Sequence, residues 1–135
     1  MDKAAFSLNE YKFQKVNIDF SKKKSNELNI EFIPQGIFHS KNSSFELIIT
    51  FNAFNEDKNS PFVLIECISV FVFNKEIQFE DIPSYFYRNS IAIIFPYIRA
   101  FISTVTLQAN IPPIILPTMN LSSLEAPLRQ NTSSL

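Results

Sequence analysis

The order of apolar and polar residues divides the chain into an alternating first half and a helically periodic second half. Val16, Ile18 and Phe20 are separated by Asn17 and Asp19, and Leu28, Ile30 and Phe32 by Asn29 and Glu31, the period of strands with one buried face. The polar residues Lys22 to Asn26 between them suit a hairpin connection. Pro34, Gly36 and the polar run Ser40 to Ser43 end the second strand and form a loop. A third strand places Phe45, Leu47, Ile49, Phe51 and Ala53 on one face, with Glu46, Thr50 and Asn52 on the other. After a turn over Asn55 to Pro61, a fourth strand from Phe62 to Phe73 is apolar on nearly both faces, whereas an antiparallel sheet usually needs one dry face. The second face calls for a cover: a helix of the same chain, another subunit or an apolar client.

Asp81, Pro83 and Ser84 supply the start of a short helical turn. Asn89 or Ser90 then caps a main helix whose Ile91, Ile94, Phe95, Ile98, Phe101, Ile102 and Val105 share one face. Ile93, Tyr97 and Ala100 widen the apolar stripe beyond what one sheet face requires, and Pro96 kinks the helix or marks its first turn. From Ile111 to Pro117 the prolines impose an extended apolar strap. Asn120 or Ser122 caps a last helix, Ser122 and Glu125 having the spacing of a capping box. Short connections favour sequential neighbours, so the expected class is α+β: a four-stranded antiparallel meander with C-terminal helices packed on it. Residues 1–135 form one domain, with 1–11 and 126–135 as flexible termini.

Composition narrows the function. A chain of 135 residues with 46% hydrophobic content and 15 Phe builds one core. A formal net charge of −1 speaks against the basic surface that nucleic acid needs. Cys67, the single cysteine, excludes an internal disulfide, fits a reducing cytosol and reads as a small buried hydrophobe. The N-terminus lacks an apolar signal core, and Pro112, Pro113 and Pro117 interrupt the uncharged run from Ala100 to Leu124, so no membrane insertion is expected. His39 is the only histidine, Gly36 the only glycine, and the pairs Glu56-Asp57 and Glu80-Asp81 fall at element boundaries. Neither a metal or cofactor site nor acid–base chemistry is expected, and an enzyme is disfavoured. Apolar surface is the remaining asset, and such surface marks interaction sites.

Ile94-Phe95-Pro96-Tyr97-Ile98-Arg99, then Pro112-Pro113, Leu116-Pro117 and Asn120-Leu121, resembles the C-terminal signature of SecB-type export chaperones, a Leu-Phe-Pro-Tyr-Ala-Arg helix followed by a proline-containing apolar loop and Pro-x-Asn-Phe. The strand from Ile65 to Phe73 is similar to the family's Glu-containing fourth strand. The resemblance implies a cytoplasmic homotetramer, a dimer of dimers, that holds unfolded polypeptides without ATP for export or solubility. On that basis Phe71, Phe73, Phe79, Phe86, Ile114, Ile115 and Leu116 are candidates for client contact, and Ile91, Phe95, Tyr97, Ile98, Phe101 and Ile102 for the core and oligomer interface. Arg99 either orients a carboxylate or carbonyl or lies on a solvated helix face. The family's metal-binding tail docks on the export motor ATPase, whereas this tail has no Cys or His. SecB-like relatives also serve as antitoxin chaperones in toxin–antitoxin systems. A carrier of a small apolar ligand and a purely structural homo-oligomer are the readings from other classes.

Overall fold

Strand order is where the architecture first departs from expectation. The computed structural model describes residues 5–112, 114, 116 and 121–135. In it β1 (Phe6–Ile18), β2 (Asn29–His39), β3 (Ser44–Phe54), β4 (Val63–Phe73) and β5 (Thr132–Ser134) form one sheet in the order β1-β4-β3-β2-β5. The strands β2, β3 and β4 make the expected antiparallel meander, but β1 pairs antiparallel with β4, and β5 pairs parallel with β2. The four-stranded meander is thus corrected to a mixed five-stranded sheet. Lys22 to Asn26 belongs to a crossing along the end of the sheet rather than to a hairpin. Asn55 clamps that crossing, accepting from the Lys24 amide at 2.7 Å and donating to the Glu27 carbonyl at 2.8 Å. Asp19 starts it by accepting from the Ser21 amide and hydroxyl, bonds that hold its carboxyl below the usual carboxylate range.

The pairing of β1 follows from a pattern that simple alternation hides. Its apolar residues come in doublets, Phe6 and Leu8, Tyr11 and Phe13, Val16 and Ile18, and its register against β4 shifts between Leu8 and Glu10 and again between Phe13 and Lys15. Asn9 and Gln14 are the extra residues of two bulges. Each bulge returns the next doublet to the face that Phe71, Cys67 and Val63 occupy on β4. The N-terminal segment is therefore strand from Phe6 onward. At the other end the polar tail, also expected to be flexible, supplies part of the helix α2 (Glu125–Gln130) and the strand β5.

β2 runs through Pro34 and Gly36 instead of stopping there. The Gly36 amide points to the outer edge, where it donates to the Asn131 carbonyl at 3.2 Å. By strand alternation Pro34, two residues earlier, faces the same way, so its missing N–H costs no bond to β3. Its carbonyl accepts from Asn131 Nδ2 at 3.2 Å. Gly36 is needed for close approach: a Cβ there would lie 2.4 Å from Phe45 Cζ and 2.7 Å from Thr132 Oγ1.

The long helix α1 (Ser84–Gln108) lies across the sheet. Asp81 lies in a separate 3-10 turn, Phe79–Asp81, and α1 begins directly after Pro83, so Asn89 and Ser90 are interior residues rather than caps. Pro96 sits inside the helix on its exposed side, as does Ala92, whose carbonyl loses its partner there and can meet water. The helix ends in a Schellman motif: Asn110 takes a left-handed φ of 61°, its amide donates to the Leu107 carbonyl, and the Ile111 amide reaches back to the Thr106 carbonyl, each at 3.0 Å. By length and composition α1 is apolar enough to cross a membrane, yet Phe86, Ile91, Ile94, Phe95, Ile98 and Ile102 are buried in the same core as the sheet. Ser122 lies in the 3-10 turn Leu121–Leu124, which precedes α2, so α2 starts without the expected capping box.

Candidate binding surfaces

Three of the seven residues expected to bind clients, Phe71, Phe73 and Phe86, hold the sheet to the helix. Phe86 is the hub, its ring centroid 4.7 Å from those of Phe6 and Phe45, 5.1 Å from Phe73 and 5.8 Å from Phe71. Phe71, Phe73 and Phe86 are buried: rings of β1, β3 and β4 converge on one helix residue and exclude solvent. Phe79 is half-buried, 6.1 Å from Phe38, and Ile114 is half-buried against the core. Leu116 is buried, and Ile115 lies outside the described residues.

The candidates for the oligomer interface divide in the same way. Ile91, Phe95, Ile98 and Ile102 face the protomer's own sheet and are buried in its core. Tyr97 is 45% exposed, and Phe101 is half-buried. Arg99 is exposed, its guanidinium 5.3 Å above the Phe95 ring. That exposure fits the solvated-face reading, and a clamp on a main-chain carbonyl is made by Arg129. Arg129 donates to the Ser84 carbonyl at 2.7 Å, lies 4.4 Å above the Tyr87 ring and approaches Glu125 at 3.4 Å, tying α2 to the start of α1. Burial raises the Tyr87 hydroxyl pKa, and Arg129 opposes that shift.

Two surfaces emerge from this sorting. The first is an aromatic seam between β1 and α1. Tyr11 lies 4.6 Å from Tyr97, and Phe13 stacks on Phe101 at 3.9 Å and 7°. Tyr11, Val16, Ile93 and Leu107 are exposed beside it, Leu107 to 69%. The excess stripe of Ile93 and Tyr97 was readable as helical spacing; the β1 half was concealed by the bulges. The second surface is the outer edge of β2, where β5 is seated by main-chain bonds: the Leu135 amide donates to the Phe38 carbonyl at 2.8 Å, and the Ser40 amide to the Leu135 carbonyl at 3.0 Å. No sequence signal marked this edge beyond Gly36 itself.

Among the described residues no group of three or more His, Cys, Asp or Glu side chains gathers to hold a metal. His39 Nε2 lies 3.2 Å from Glu46 Oε1 on the solvent-facing side of the sheet. Cys67 is buried in β4, and desolvation pushes its thiol up to about 12, which leaves it protonated and unreactive at neutral pH.

The fold is similar to that of the Mycobacterium tuberculosis Rv1957 SecB-like chaperone, solved in complex with a ChAD peptide from the HigA1 antitoxin: TM-score 0.67, 15% identity, covering 85% of this chain and 88% of that one. An uncharacterized protein of Methanocaldococcus jannaschii is 55% identical over 42 residues, 31% of this chain and 27% of the relative, so the match spans about a quarter of that protein's length. The family model described as preprotein translocase subunit SecB matches residues 7–131, which takes in β1 to β4 and both helices and stops one residue before β5. The chain belongs to the SecB family.

Proposed function

We propose that this chain is an ATP-independent holdase chaperone of the cytosol. It binds unfolded or non-native polypeptides and keeps them soluble or competent for export. The observation that carries this reading is the family match across residues 7–131, and the fold shared with a SecB-like chaperone solved with a bound peptide supports a polypeptide client. Holding without ATP requires only that exposed apolar segments bury against the chaperone, at about 25 cal/mol per Å² of apolar surface removed from water.

In this reading the protein works as a homotetramer built as a dimer of dimers. The aromatic seam is its assembly surface: Tyr97 and Phe101, with Tyr11, Val16, Ile93 and Leu107 around them, are apolar, contiguous and accessible. Phe79 and Ile114, both half-buried, are the client-contacting residues of this reading. A stoichiometric amount of the protein should suppress light scattering from a reduced, unfolded client that aggregates alone. Unchanged scattering would contradict the reading. Multi-angle light scattering should give the mass of four 15.6 kDa chains, and a strict monomer would remove the assembly half of it.

A further inference from the structure

The outer edge of β2 already holds a strand, and that strand is poorly suited to stay. Strand β5 is three residues long, Thr132-Ser133-Ser134, with Ser133 and Ser134 exposed and Thr132 half-buried. Its attachment is main-chain and polar: the Gly36 amide to Asn131, the Leu135 amide to Phe38, the Ser40 amide and hydroxyl to Leu135, and Asn131 Nδ2 to Pro34. Small polar side chains bury little apolar area, so the hydrophobic term that fixes strands elsewhere in this sheet is nearly missing here. An extended segment with apolar residues at alternate positions would make the same main-chain bonds and add that term.

The edge is shaped for such a segment. Phe45 reaches into the space that a side chain at Gly36 would fill, and Thr132 closes over the same spot. With Thr132 gone, the Phe45 ring edge and the flank of buried Phe38 lie at the inner positions of an incoming strand, and half-buried Ile37 at the outer one. β2 is also regular along this stretch, pairing with β3 residue for residue without a shift. The family match ends at residue 131, before β5 begins.

We infer that Thr132–Ser134 occupies in cis the site where an extended apolar segment of a non-native polypeptide adds as a strand to β2, and that the tail must leave before that segment binds. The inference rests on the holdase reading above and adds a gate to it. A tail seated about 90% of the time lowers apparent affinity about tenfold.

The test measures fluorescence anisotropy of a fluorescein-labelled peptide of alternating valine and threonine on three forms of the full chain. Ser133→Pro/Leu135→Pro removes the Leu135 N–H that holds the tail to Phe38 and should tighten binding about tenfold. Ile37→Cys/Ser133→Cys, at positions paired in register, locks the tail when oxidised. It should weaken binding at least tenfold, with recovery on reduction. The same peptide N-methylated at alternate residues should bind none of the forms tightly. Equal affinity of the wild-type, released and oxidised forms overturns the gate and leaves the holdase reading intact. Equal binding of the N-methylated peptide overturns strand addition. If the peptide binds no form and unfolded client still aggregates, the holdase reading falls and the gate with it.

Discussion

The sheet has two edges of opposite construction. β1 carries two bulges within 13 residues and presents tyrosine, phenylalanine and valine side chains next to α1. Bulges twist an edge strand and spoil its template for a further strand, so what β1 offers is a side-chain surface. β2 is unshifted against β3, carries the chain's one glycine, and meets its neighbour through backbone groups. A bulged edge with exposed rings suits packing against a folded partner such as a second copy. A regular edge with a dimple over Phe45 suits an unfolded one. The difference lies in which part of the backbone is left free to recognise something.

Phe86 joins the two edges, touching Phe6 of β1 and Phe45 beneath β2. Phe86→Ala should therefore lose about 3–5 kcal/mol in urea unfolding and loosen both edges together. A loss confined to one edge in hydrogen exchange would show that the hub does not couple them. Deleting Gln14 removes one bulge and turns Val16 and Ile18 away from their present face. The expected cost is about 1.5–3 kcal/mol, the burial of roughly one apolar side chain, with client affinity unchanged. Gly36→Ala puts a methyl group into Phe45 and Thr132; overpacking of this kind costs about 1–3 kcal/mol, and here it should release β5 while leaving the mass of the assembly unaltered.

Smaller effects sharpen the contrast. Tyr97→Ser/Leu107→Ser changes exposed positions and should shift protomer stability by no more than about 0.5 kcal/mol per site, yet reduce the assembled mass by light scattering. Retention of the full mass would take assembly away from the seam. Cys67 lies between the edges and reports on neither. Its thiol pKa is raised from 9.0 to about 12 in the fold, so it favours folding below pH 9 and withdraws that contribution as pH climbs toward 12. Cys67→Ala should flatten the alkaline fall in stability, and thiol reagents should label the wild-type residue at neutral pH only on unfolding.

What the sequence made legible follows the same division. Alternation marked β3, which keeps one unbroken period, a continuous apolar run marked β4, and the 3–4 spacing of Ile91 to Ile102 marked the buried stripe of α1. In β1 the signal was present but phase-broken: six apolar positions lie on one face, and only Val16 and Ile18 fell within a continuous alternating run. In β2 the local rules for Pro34 and Gly36 pointed to a stop. Tertiary context overrode them, since the proline N faces outward and the glycine admits Phe45. Strand β5 carries no apolar period at all, because backbone bonds rather than buried side chains hold it. The burial of Phe71, Phe73 and Phe86 was hidden for a related reason. Composition cannot distinguish a ring that contacts a client from one that contacts Phe86.

Hydrogen exchange of the assembled protein, with and without an unfolded client, tests the division of labour between the edges most directly. The expected result is deprotection of the Leu135 amide and retained protection at Gly36 as client replaces β5, with no change along Tyr11, Phe13, Tyr97 and Phe101. New protection at that aromatic seam, with β5 undisturbed, would contradict it and place client binding on the opposite edge.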